Sequence, residues 1–209
     1  MEKRIKMVMV GNYGVGKSCL VRRYIENSYR PTESSTIGTA FHETLFFPKQ
    51  PPAPPGQIAD PLFPIKVQLW DTAGAERYRA LAPMYLRGAE VIALVYDDTT
   101  ESRDNLPSLM KMIHENAPTA VVGLMMNKCD LIQNVPHSNV EQLMPDYNFQ
   151  VSAQTGEGVH TSFNRLLSAA VVMREEHVAP TESIHLDSPM YGGQSTNPTQ
   201  RTEKRYQCC

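Results

Sequence analysis

No apolar run in this 209-residue chain approaches the roughly 20 residues that a bilayer-crossing helix needs. Cysteine is scarce: Cys19 and Cys129 stand alone and Cys208 and Cys209 end the chain. Neither spacing suggests zinc or a disulfide framework, so a reducing, cytosolic setting is expected. Charge of either sign is not in excess. Lys and Arg total 20 against 22 Asp and Glu, which leaves no general attraction to nucleic acid. The opening residues Met1 to Lys6 lead into an apolar strand pattern and lack a small-residue cleavage site, so no signal peptide is expected. The length fits one domain with a tail.

What is present alternates. Residues 5–10, 40–47, 65–70, 91–96 and 121–126 read as strands, the last two as continuous apolar runs covered on both faces. A helix is predicted from the end of a glycine-rich turn to about Asn27. A second covers 103–116, with Leu106, Leu109, Met110 and Ile113 at helical spacing, and a third covers 158–175. Alternation of this kind argues for an α/β domain with a mostly parallel sheet. Two segments stand outside it. Residues 48–64 hold seven prolines between two strands and read as an extended, partly polyproline II loop. Residues 178–207 are poor in large apolar side chains, cannot offset the entropy of ordering, and read as a flexible tail.

Gly11-Asn12-Tyr13-Gly14-Val15-Gly16-Lys17-Ser18 fits G-x-x-x-x-G-K-S/T between a strand and a helix. Backbone N–H groups of such a loop, from Gly14 through Cys19, wrap phosphates at a helix N-terminus. Lys17 would bridge the outer phosphates and the Ser18 hydroxyl would ligate Mg²⁺. Asn127-Lys128-Cys129-Asp130 follows a later strand at its carboxyl end, where open α/β sheets bind ligands. A carboxylate at Asp130 can accept from N1–H and the 2-amino group of guanine, a donor pair that adenine lacks. Ser152-Ala153-Gln154 follows the next strand and can offer a backbone N–H to the base oxygen. A P-loop ATPase or nucleotide kinase is disfavoured by N-K-C-D.

With both motifs in place, the chain resembles a small GTPase of the Ras superfamily, specifically the Rab family, over about residues 5–175 and into the tail. Ser35-Thr36-Ile37-Gly38-Thr39-Ala40-Phe41 resembles the first switch segment, W-D-T-A-G-A-E-R-Y the start of the second, and Tyr85-Leu86-Arg87-Gly88-Ala89 the Rab Y-Y-R-G-A run. S-T-I-G-T-A-F and L-A-P-M-Y-L-R-G-A look most like the early-endosomal subgroup. The resemblance implies a six-stranded sheet flanked by helices, with one antiparallel edge strand, and binding of GTP or GDP with Mg²⁺. It implies that Thr36 ligates Mg²⁺ and senses the γ-phosphate, that Asp71 contacts Mg²⁺ through water, and that the Gly74 N–H bonds the γ-phosphate. Tyr29 would lie edge-on to guanine, and Phe41, Trp70 and Tyr85 would form an aromatic effector surface, where ordinary packing is the plainer reading. Implied partners are effectors at the switches, an exchange factor, a GTPase-activating protein and a dissociation inhibitor or escort protein.

The chain departs from that pattern at informative places. Ala75 stands where the family usually has a water-orienting Gln, and a methyl group neither donates nor accepts a hydrogen bond. Slow intrinsic hydrolysis is expected, with a GTP-loaded pseudo-GTPase scaffold as the alternative. Rab-directed activating proteins are understood to supply both an arginine and a glutamine in trans, so assisted turnover should suffer less. Tyr13 replaces a small residue near the γ-phosphate and would crowd the attacking water, swing into solvent, or position water through its hydroxyl. Gln154 replaces the usual Lys, with modest effect expected. The stretch from Asp130 to Ser152 is short, and an abbreviated helix bounded by Pro136 and Pro145 is predicted. The 48–64 insertion reads as a tolerated surface loop or, more sharply, a docking site for a proline-binding domain. Cys208-Cys209 resembles the double-geranylgeranylation signal, which would anchor residues 176–209, as a tether, to the cytoplasmic face of endosomal or other intracellular membranes.

Overall fold

The computed structural model describes residues 4–30, 36, 38–49, 63–74, 82–132 and 143–178. Strand β1 (Arg4–Val10) lies inside the sheet because both its faces are apolar. Ile5, Met7 and Met9 point to one side, and Val8 and Val10 to the other. On the first side they meet Leu20 and Val21 of α1 (Lys17–Glu26) and Phe163, Leu166 and Leu167 of α5 (Val159–Val178). On the second they meet Leu86 of α2 (Ala82–Leu86) and Leu106, Leu109, Met110 and Ile113 of α4 (Leu106–Asn116). Full burial of each such Leu, Ile or Phe contributes roughly 1.5–3 kcal/mol.

The sheet has six strands in the order β2-β3-β1-β4-β5-β6. Strands β3 (Ile65–Thr72), β1, β4 (Val91–Tyr96), β5 (Val121–Met126) and β6 (Tyr147–Gln150) run parallel. Strand β2 (Thr39–Phe46) is the antiparallel edge, with Phe41 opposite Trp70. Both the parallel core and the antiparallel edge match expectation. The chain leaves β1 toward β3 on one side and reaches β4 on the other. That reversal opens a crevice at the carboxyl ends of the strands.

One helix differs from its prediction. The span expected as 103–116 begins at Thr100 and is split into α3 (Thr100–Asp104) and α4 around Asn105. Pro107 falls in the first turn of α4, where its missing N–H is harmless; inside a continuous helix its ring would clash with the carbonyl four residues back. After Asp130 the structure shows a single 3₁₀ turn, Cys129–Leu131. Most of the abbreviated helix predicted between Pro136 and Pro145, most of the 48–64 insertion, and the tail from 179 with Cys208 and Cys209 lie outside the described residues. Helix α5 runs to Val178, three residues past the expected boundary at 175. Among the described residues, no helix is long and apolar enough to cross a membrane.

Candidate functional site

The loop from Gly11 to Gly16 leaves β1 at the crevice and turns into α1. Gly16 takes a left-handed conformation (φ 93°), and a Cβ there would sit 2.3 Å from Nδ2 of Asn127. Only glycine combines that φ with that approach. As the N-cap, Gly16 offers no side chain to the first-turn N–H groups, and that turn has no acidic residue. The helix end therefore keeps its N–H groups and positive potential for an anion.

Lys17 is buried. Its ammonium donates to the carbonyls of Gly11 (2.9 Å) and Asn12 (2.8 Å), folding back over the loop. Burial pushes its pKa down to about 8, partly opposed by Asp71. Relative to an exposed lysine, holding that charge costs about 3 kcal/mol. The cost is fully present below pH 8 and fades as pH rises toward the unfolded value of 10.5. Phosphate binding favours the charged amine, so nucleotide affinity should move the other way. Between pH 7 and 9 the GDP dissociation constant is expected to weaken about tenfold. Stopped-flow binding across that range checks this, and Lys17→Arg, which stays charged, should lose this part of the dependence. A flat profile in the natural protein would contradict the assignment.

Three oxygen-bearing side chains from separate segments converge beside this loop. Ser18 Oγ lies 2.9 Å from Thr36 Oγ1, and it donates to Asp71 Oδ2 at the end of β3. Adjacent ligands of an octahedral Mg²⁺ at 2.0–2.1 Å are about 2.9 Å apart, so the two hydroxyls are spaced as neighbouring ligands would be. Asp71, hydrogen-bonded to one of them, fits an outer-sphere role. All donors are hard oxygens, as Mg²⁺ requires. Gly74 closes this end: a Cβ there would fall 2.4 Å from the Asn12 carbonyl and 2.5 Å from Lys17 Nζ.

Asn127 links this region to the Ser152–Gln154 loop after β6. It is buried, its Nδ2 donates to the Val15 carbonyl (2.8 Å), and its Oδ1 accepts from the Ala153 N–H (3.0 Å). The Ala153 N–H expected to face the base is thus also engaged by Asn127. Ser152 is fully buried and its Oγ accepts from the Thr155 N–H. Lys128 has left-handed backbone (φ 65°) and pairs with Asp97 at 2.6 Å, while the following turn leaves Asp130 exposed. Burial alone would raise the Asp97 pKa; hydrogen bonds from Lys128 and Thr99 outweigh it and hold the carboxyl below its ordinary value.

Tyr29 is half-buried and packs on the core beside α1. Cys19 and Cys129 are half-buried. Gln154 is exposed. Tyr13 is 67% exposed, which matches the outward of its possible placements. Phe41, Trp70 and Tyr85 do gather, with ring centroids 5.1 and 6.0 Å apart, and the Lys6 ammonium lies 5.1 Å above Trp70. Phe41 remains 47% exposed, so this cluster is surface as well as packing. Ala75 lies outside the described residues.

Three contributors escape sequence reasoning: Arg23, which reaches the Ala153 and Gln154 carbonyls, Asp97, and Asn12, whose Nδ2 donates to the Glu101 carbonyl. Their partners lie 130, 131, 31 and 89 residues away, and no local motif assigns them these contacts.

A family profile described as Ras family matches residues 6–171. The chain is 36% identical over 168 residues to Ras-related protein Rab-13 of Rattus norvegicus, covering 77% of each chain. It is 34% identical over 181 residues to Ras-related protein SEC4 of Candida albicans, covering 83% of this chain and 79% of that one. It is 36% identical over 170 residues to GTP-binding protein ypt5 of Schizosaccharomyces pombe, covering 77% and 75%.

Proposed function

Since this chain belongs to the Ras family of small GTPases, among its Rab members, we propose that it works as a membrane-anchored GTP/GDP switch at endosomal or related membranes, slow to turn itself off. As a Rab-family GTPase it converts GTP to GDP and phosphate. The observation that carries the site assignment is the convergence of Ser18, Thr36 and Asp71 beside the buried Lys17. Lys17 and the N–H groups of Gly14 to Cys19 hold the phosphates. Ser18 and Thr36 would hold Mg²⁺, with Asp71 behind them in an outer-sphere role, and the cation would neutralise charge on the outer phosphates. Asn127, Lys128 and Asp130 seat the guanine, with the Ser152–Gln154 loop at its oxygen and Tyr29 at its edge.

Switching follows from where these groups sit. Thr36 and Gly74 belong to the two segments that border the γ-phosphate, so its loss removes their contacts while Ser18 and Lys17 keep theirs. A partner that docks on the exposed part of the Phe41–Trp70–Tyr85 cluster reads the difference. Activating, exchange and escort proteins complete the cycle. Residues 1–175 form the switch domain and residues 176–209 the tether, geranylgeranylated at Cys208 and Cys209. The strings S-T-I-G-T-A-F and L-A-P-M-Y-L-R-G-A favour the early-endosomal subgroup.

A second reading, a GTP-loaded scaffold that rarely hydrolyses, is favoured by Ala75 together with Tyr13. Competition between GTP and ATP for the purified protein, followed by multiple-turnover assays with and without an activating protein, separates these readings. Preference for GTP with assisted turnover supports the switch. Preference for GTP without turnover supports the scaffold, and preference for ATP overturns both.

A further inference from the structure

Arg23 lies in the last turn of α1 and points at neither the phosphates nor the cation residues. Its guanidinium instead gathers carbonyls from two segments. Nε donates to the Ala153 carbonyl (2.9 Å) and one terminal nitrogen to the Gln154 carbonyl (2.6 Å). The other donates to the carbonyl (2.9 Å) and side-chain oxygen (3.3 Å) of Asn27. Asn27 caps α1 in left-handed conformation (φ 50°) and returns its own N–H to the Arg23 carbonyl at 3.0 Å. Gly156, at φ 89°, lies beside the side chain: a Cβ there would be in ordinary van der Waals contact with Arg23 Cδ, at 3.5 Å.

Ala153 is therefore held at both backbone polar atoms, its N–H by Asn127 and its carbonyl by Arg23. A planar fork with several donors suits two adjacent carbonyls, which a single ammonium cannot match. The same fork grips the turn that leads to Tyr29, on the other flank of the base site.

We propose that Arg23 is a positioning residue that fixes the Ser152–Gln154 loop against α1 and so sets how long a guanine base is held. The inference rests on the reading of this loop as the donor to the 6-oxygen of guanine. Loss of the fork frees the loop and weakens that contact, while the phosphate and cation contacts stay. Sequence offers a reason for such a staple: Gln154 replaces the family's usual Lys in this loop.

The test compares release of GDP with release of 6-thioguanosine diphosphate, which keeps the N1–H and 2-amino donors for Asp130 but carries a weakly accepting sulfur in place of the 6-oxygen. Arg23→Gln is expected to release GDP about tenfold faster, as removal of hydrogen bonds to a charged group implies. Arg23→Lys should fall between, because one ammonium replaces only part of the fork. Release of the analogue should change less than about threefold, since its sulfur makes little use of the loop donor. Unchanged GDP release in the Gln variant would overturn the proposal. So would equal acceleration of both nucleotides in either variant, which would mark general loosening of the fold. Failure of the natural protein to bind GDP would instead sink the guanine reading itself.

Discussion

Replacing Ala75 with glutamine is expected to raise intrinsic GTP hydrolysis by about a hundredfold. Hydrolysis in this family needs a group that holds the attacking water in line with the γ-phosphate. The alanine methyl cannot do so, and loss of one such transition-state contact costs roughly 10²–10³ in rate in other enzymes. Nucleotide affinity should not change, because Lys17, Ser18, Thr36 and Asp71 form their contacts without position 75. Single-turnover hydrolysis of the natural protein against Ala75→Gln measures the gain. Equal rates would sink the idea that water positioning is the missing step. Tyr13 enters as a control. Its side chain points outward and is 67% exposed. Should Tyr13→Phe leave the rate unchanged, a water-positioning role for the hydroxyl is excluded, and a steric role remains for Tyr13→Gly to expose.

The motif-bearing parts of this site could be read from sequence because they obey local rules. A glycine at position 16, a lysine after it and a serine next make a phosphate cradle wherever a strand feeds a helix. Strands 91–96 and 121–126 were legible to the residue, since uninterrupted apolar runs suit strands buried on both faces. The helix at 103–116 was legible as a helix but not as two. The apolar spacing of Leu106, Leu109, Met110 and Ile113 carries no sign that the turn before them is separate, and only Pro107 hints at it. Arg23, Asp97 and Asn12 were illegible for a different reason. Each works through a backbone carbonyl or a distant side chain, and which carbonyl lies within reach is decided by sheet order. A basic residue in the last turn of a helix reads as ordinary end-charge complementarity. The Ala153 carbonyl comes under it from the loop after β6, which pairs with β5 far along the chain.

Asn127→Ala is expected to weaken GDP binding by about a hundredfold and to lower stability by about 3 kcal/mol. Asn127 is the sole side chain seen to bond both the Gly11–Gly16 loop and the Ser152–Gln154 loop, through Val15 O and Ala153 N–H, among the described residues. It is 1% exposed, so water cannot take over either bond. Alanine leaves a buried acceptor on one loop and a buried donor on the other. Each unsatisfied group costs roughly 1–3 kcal/mol, more than the net worth of an ordinary hydrogen bond. The affinity loss has the same origin: without the bridge, the two loops no longer present phosphate and base contacts at a fixed separation. Asn127→Asp separates these effects. It keeps an acceptor for Ala153 but loses the donor to Val15, and it places a carboxylate beside the loop that receives phosphate. With the carboxylate ionised, the unpaired buried charge should keep stability at or below that of the alanine variant and lower nucleotide affinity further; at low pH the protonated acid can donate to Val15 and stability should recover in part. Thermal unfolding and equilibrium GDP binding on both variants read the two quantities separately. Less than a threefold change in affinity for Asn127→Ala would mean the loops are aligned by other contacts, with Arg23 the first to examine.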